Sequence, residues 1–243
     1  MNIDVVTLFP EMLQGFFTNS IMKRAVQAGR ISYNLIDFRH FATDCHHTCD
    51  DTPYGGGAGM VIKPQPLCDA LESIGASEKR VIYASPSGKP FSQAYAQELS
   101  KEKDLVFICG HYEGIDQRAI DLYVDDEISI GEYVISSGEV ASLVIIDAVY
   151  RLVDGVINGE SLKEESFTGN LLEYPQYTRP ELYKDMQVPP VLLGGNHAEI
   201  EAWRLGKRLE KTLLNRPELL EEASLDVKTR KALQEIRNKA KRT

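Results

Sequence analysis

Long apolar runs are missing from this chain, and none approaches the roughly 18 residues that a membrane span requires. The opening MNIDVVTLFPEM has no basic leader and goes straight into strand-like sequence, so no secretory signal is expected. Cysteine is scarce. Cys45, Cys49, Cys68 and Cys109 are four thiols in 243 residues, too few for a disulfide framework. The expectation is a cytoplasmic protein with reduced thiols and no membrane partner. Basic charge is also short, and the net charge of −9 argues weakly against a broad nucleic-acid footprint. Internal repeats and low-complexity tracts are absent. What is present is ordinary for a globular protein, with 43% hydrophobic and 26% charged residues. The length suits one large domain, or one of about 150 residues with a smaller companion. Charge is unevenly spread, because residues 226–243 hold seven Lys/Arg against two acids. Such a basic helical tail can contact phosphates, although on charge alone a solvated helix end is the commoner case.

Patterning gives an α/β order. IDVVTLF reads as a buried strand, and Pro10 opens a helix at its first turn. SIMKRAVQAG follows as a helix, with Ser20 as N-cap and Gly29 as stop. ISYNLIDF reads as a second strand, and residues 42–66 as a long polar loop, a length usually functional or mobile. RVIYAS and DLVFICG are short apolar strands separated by a helical stretch at 93–101, the rhythm of a parallel sheet. EISIGEYVISSGE adds a strand and loop, and residues 139–153 form a helix apolar almost all round, buried in the fold or against a partner. Residues 154–180 turn polar like a linker, and the remainder reads as helical.

Three motifs bear on chemistry. CDDTPYGGGAGM has the glycines that let backbone N–H groups approach an anion, but lacks the Gly-Lys-Ser/Thr ending of a P-loop. A hinge explains it as well. CHHTC crowds four zinc-ligand types into five residues with no second pair elsewhere, which makes a metal site improbable. In ICGHYEGID, Cys109 could be a nucleophile with His111 as base, but Gly110 interrupts the strand between them, and packing is the commoner role of such a thiol. The better reading is a ligand approaching backbone at a strand's C-terminal end, where open α/β sheets bind ligands. YASPSG and SIGEYVISSG have the same form, so three strand ends could converge on one pocket suited to a nucleoside.

LFPEM, DDTPYGGGAGM, ICGHYEGID, DEISIGEYVISSGE and LLEYPQYTRP…VPPVLLGGNHAEIEAWR stand in this order. On these motifs, from residue 1 to about 220, the sequence resembles the bacterial tRNA (guanine-N1-)-methyltransferase family of the SPOUT superfamily. The resemblance implies an α/β fold with a parallel sheet and a deep trefoil knot, against the general rule that chains are unknotted. It implies a catalytic domain at 1–155, a linker at 156–173 and a small helical tRNA-binding domain at 174–243. It further implies methyl transfer from S-adenosylmethionine to N1 of the guanosine at tRNA position 37, beside the anticodon, by a homodimer with its active site between subunits. Family members also depend on Mg²⁺, although no carboxylate cage is evident.

Residue by residue, the resemblance assigns the cofactor to Tyr83, Ala84, Ser85, Pro86, Ser87, Gly88, Gly110, Ile130, Gly131, Glu132, Tyr133, Val134, Ile135 and Gly138. Tyr112, Glu113 and Glu173 would face the substrate, and Arg151 and Glu165 would carry the chemistry, with Glu164 and Glu173 as alternative bases. Cys109 and His111 would not be catalytic. Three positions depart from the family pattern: Glu165 replaces Asp, Ser137 replaces a glycine, and Gly169-Asn170 stands for Asp-Gly. Competing readings are a SPOUT enzyme for another RNA position, a non-catalytic RNA-binding module, and a nucleotide-phosphate binder built on the glycine loop.

Overall fold

Five apolar runs become one parallel sheet in the computed structural model, which describes residues 1–159, 165–221 and 225–240. They are β1 (Asn2–Thr7), β2 (Ser32–Asp37), β5 (Arg80–Pro90), β6 (Asp104–Ile108) and β7 (Asp126–Ser129), in the order β2-β1-β6-β5-β7. Alternation along each strand feeds two separate cores, because successive side chains leave opposite faces. Val5, Leu105 and Phe107 enter one core, and their neighbours Val6, Val106 and Ile108 the other. Residues from α1 (Glu11–Phe17), α2 (Ser20–Gln27), α4 (Gln93–Leu99) and α6 (Gly138–Tyr150) complete the first core. Residues from α3 (Pro64–Ser73) and α5 (Gln117–Tyr123) complete the second.

Some local expectations need correction. The residue capping α2 is Asn19, in extended conformation, while Ser20 is already inside the helix. The polar segment 42–66 is not structureless. A two-residue antiparallel ladder, β3 (Asp50–Asp51) with β4 (Val61–Ile62), closes the glycine-rich loop, and α3 starts at Pro64. Gly55, Gly56, Gly57 and Gly59 all have positive φ, which explains why the loop needs glycine.

The chain divides into two compact units, Met1–Ile157 and Asn158–Thr243. The second contains a short hairpin, β8 (Leu182–Tyr183) with β9 (Met186–Gln187), before α7 (His197–Asn215) and α8 (Val227–Ala240). Its small core joins Leu171, Leu209, Leu220, Leu225 and Leu233. Leu172 ties back to α7 through its N–H, which donates to Thr212 Oγ1 at 2.9 Å. Glu164, and Lys241 and Arg242 of the basic tail, lie outside the described residues. Among the described residues, no helix is long and apolar enough to cross a membrane.

The sheet's edge is clamped by Arg80, which pairs with Asp126 and also reaches Glu98 and Glu102. Arg80 Nε donates to Asp126 Oδ2 at 2.5 Å, and the Tyr95 hydroxyl donates to Asp126 Oδ1. Burial opposes the charged carboxylate, but these bonds outweigh it and hold Asp126 below the ordinary aspartate range. A depressed folded value means that the stabilisation is complete above the unfolded value, near pH 4, and is lost as pH falls through the folded one. Asp126→Asn should therefore cost about 1–3 kcal/mol at pH 7. Urea melts should show that difference shrinking on acidification to pH 3. A gap that stays constant with pH would show that Asp126 is not held in this way.

Candidate active site

Parallel strands that neighbour one another place their C-terminal ends on one sheet edge, and three adjacent ends here build a cavity of about 430 Å³. Tyr83, Ala84, Ser85, Pro86 and Ser87 line it from β5, and Gly110, His111, Tyr112, Glu113 and Gly114 from the loop after β6. Residues 128–131 and 133–138 line it from the end of β7 and its loop, and Ala141 from α6. The volume suits a small ligand of nucleoside size. Apolar Ile128, Ile130, Val134, Ile135 and Ala141 offer a base-sized surface, and backbone at glycines offers polar contacts.

Close backbone approaches set the cavity's floor. Gly138 N–H donates to Gly110 O at 2.9 Å, so the start of α6 sits directly on the end of β6. A Cβ on Gly138 would lie 2.5 Å from Gly110 N and 2.9 Å from Cys109 Cα. A Cβ on Gly110 would first meet the Tyr83 ring, at 2.9 Å from Cε2 and Oη. Gly110 is thus required by Tyr83 packing as well as by any ligand. Burial pushes the Tyr83 phenol up, so it is neutral at physiological pH.

Not every expected residue lines this cavity. Gly88 does not. Its α-carbon faces the Glu127–Ile128 backbone, where a Cβ would collide, and β5 shifts register against β7 between Ala84 and Lys89. Its glycine serves strand packing. Glu132 is exposed and outside the lining. Arg151, at the C-terminal end of α6, lines a separate shallow hollow with Gln93, Val140, Leu143, Val144, Asp147 and Ala148. Glu165 and Glu173 belong to the second unit, where Glu173 N–H donates to Ser166 Oγ at 3.2 Å.

The glycine loop meets the cavity. Glu113 N–H donates to Met60 O at 3.0 Å, Ile62 N–H to Gly114 O at 3.0 Å, and a Cβ on Gly59 would strike the Glu113 side chain. Cys109 is fully buried and near Ser142 Oγ, and burial raises its thiol far from ionisation, so it supplies no thiolate. His111 Nε2 bonds Glu139 Oε2 at 2.6 Å. Sequence reasoning missed Glu139 as the partner of His111, because nothing local marks a pairing across 28 positions. Among the described residues, no group of three or more His, Cys, Asp or Glu could hold a metal ion.

The sheet and its strand-end cavity define an open α/β protein with a ligand-sized cavity across the carboxyl ends of its strands. A family model described as tRNA (Guanine-1)-methyltransferase TrmD matches residues 1–222, and the chain belongs to that family. A Treponema denticola protein is 65% identical over 223 residues, covering 92% of this chain and 92% of its own. One from Treponema pallidum is 59% identical over 92% of this chain and 89% of its own, and one from Borrelia duttonii is 59% identical over 90% and 92%. All three are named tRNA (guanine-N(1)-)-methyltransferase.

Proposed function

We propose that this protein transfers the methyl group of S-adenosylmethionine to N1 of the guanosine at tRNA position 37. Family membership supports the reaction class. The observation that carries the site is the convergence of residues 83–87, 110–114, 128–131 and 133–138 on one nucleoside-sized cavity. The lining supports this cofactor: the apolar patch suits adenine, and the strand-end loops present backbone for polar contacts.

Guanine N1 carries a proton at neutral pH, and removing it spreads negative charge to O6. Glu165 is the proposed base, and Arg151 the guanidinium that stabilises O6 as charge develops. The sulfonium donor is already activated, so the protein positions the reactants, removes one proton and forms no covalent intermediate. Mg²⁺ joins this proposal as an ion that keeps most of its waters.

A homodimer completes the reading. Arg151 does not line the cavity of its own chain, and Val140 and Val144 of α6 are 47% and 46% exposed beside it. A second copy covering that face would bring Arg151 to the partner's cavity. After the edge strand β7 the chain returns to Gly110, just beyond β6, a return that supports the knotted SPOUT fold proposed here. The helices of the second unit, with the basic run of α8, are the proposed tRNA-binding surface, in the cytoplasm where tRNA resides. The test is incubation with labelled S-adenosylmethionine and unmodified tRNA, followed by mapping of the product. N1-methylguanosine at position 37 is expected, and label at another nucleoside, or none, would overturn the proposal.

A further inference from the structure

Glu139 is a carboxylate with 0% exposure, next to the cavity yet outside it. A buried charge needs partners, and its two hydrogen bonds come from different elements. Thr7 Oγ1, at the end of β1, donates to Oε1 at 2.5 Å, and His111 Nε2, in the loop after β6, meets Oε2 at 2.6 Å. Glu139 itself lies in the first turn of α6, where the helix end favours negative charge. Thr7 Oγ1 also accepts from Phe9 N–H at 2.9 Å. The Phe9 ring meets His111 edge-on at 4.8 Å, and the Arg39 guanidinium lies over the Phe9 ring at 4.9 Å. His111 is therefore held by a carboxylate and by an aromatic ring that itself carries a cation.

The neighbouring residue shows what the grip can do. Tyr112 has φ +59, a left-handed conformation that a bulky aromatic residue rarely adopts, and it lines the cavity while 55% exposed. Strain of this kind persists only where the surroundings over-determine it. On one side of Tyr112, His111 is anchored to Glu139. On the other, Glu113 N–H is tied to Met60 O at 3.0 Å. An aromatic ring held at the mouth of a nucleoside-sized cavity is a stacking platform for a base.

We infer that the buried Thr7–Glu139–His111 chain is a positioning device that holds Tyr112 at the cavity mouth to receive the RNA. Glu139 and His111 act through Tyr112 and touch no reacting atom. This rests on the tRNA reading proposed above.

The experiment compares steady-state KM for tRNA with calorimetric affinity for S-adenosylhomocysteine. In His111→Ala/Glu139→Gln the second change removes the charge that the first would strand. KM for tRNA should rise roughly tenfold, as expected when a positioning contact slips, and by clearly more than any accompanying loss of cofactor-product affinity, since His111 and Tyr112 also line the cofactor cavity. Tyr112→Ala should show the same split, and adding it to the double variant should cause no further loss, because both act at one point. A purely structural role would lower melting temperature and cofactor affinity together and leave Tyr112 effects additive. A tRNA KM equal to wild type in the folded double variant, or full additivity with Tyr112→Ala, overturns the inference. If the double variant does not fold, the near-isosteric Thr7→Val carries the test. A several-fold rise in tRNA KM supports the chain, and an unchanged value overturns it. A wild-type protein that fails to methylate tRNA sinks the functional proposal instead, before any variant is compared.

Discussion

Glu165→Gln should slow single-turnover methyl transfer by something on the order of 10²–10⁴ while S-adenosylhomocysteine still binds, because the amide keeps the shape of the side chain and cannot take the N1 proton. Wild-type transfer should rise with pH until the base is ionised, and the variant should lose that limb. Glu165 is one methylene longer than the aspartate that the family resemblance leads one to expect. It lies partly buried at the start of a turn in which Phe167 N–H donates to Leu171 O at 2.8 Å. Glu173 N–H reaches Ser166 Oγ in the same turn, which makes Glu173 the sharpest competitor for the role. Near-normal single-turnover rates in Glu165→Gln, with a collapse in Glu173→Gln, would move the base to Glu173. Arg151→Lys belongs to the same experiment and should also be slow, since an ammonium cannot present the planar fork of a guanidinium to O6.

Gly138→Ala, a single added methyl, should cost about 1–3 kcal/mol of stability and weaken cofactor-product binding roughly tenfold or more. The new Cβ would stand 2.5 Å from Gly110 N, and that neighbour is backbone at the end of a central strand, with no side chain to swing aside. Relief requires α6 to lift from β6, which breaks the Gly138 N–H to Gly110 O bond and opens the cavity floor. Thermal melts and calorimetry read both effects. A Gly138→Ala protein with wild-type melting temperature and affinity would show that the floor is not rigid there.

The strand β1 was readable by its β-branched run, β2 by its alternation, and β5 and β6 as short apolar runs, and the three strand-end loops were readable because their small residues interrupt apolar runs. The helices α3 and α5 were not. The start of α3 was taken into a loop whose glycines dominate the eye, and α5 has only seven residues, too few to show a period. The ladder of β3 with β4 is two residues long and has no alternation to detect. Glu139 read as an ordinary acid in a helix's first turn. Its burial depends on Thr7, 132 positions away, and only the assembled sheet brings the two together. Two departures from the family pattern have local explanations. Ser137 has extended backbone, which tolerates a side chain, and its hydroxyl accepts from Val140 N–H to cap α6. Asn170 has φ +58, and asparagine is among the few non-glycine residues that settle in that region. Gly88 stands beside the cavity residues in sequence but outside the lining, where it packs against the Glu127–Ile128 backbone.

The position of β6 between β1 and β5 has a consequence during synthesis. Asn2 pairs with Asp104 and Val6 with Ile108, so β1 waits for partners made about a hundred residues later. At the ribosome's pace of about 5–20 residues per second, that is a delay of roughly 5–20 s. In that interval β1 can pair with β2 alone, and the edge reserved for β6 stays open along Val5 and Val6, which are wholly buried in the finished sheet. An unpaired apolar edge of this kind invites wrong pairing. The nascent chain is therefore most vulnerable to aggregation before β6 emerges, and the demand for chaperone protection falls in the first half of translation.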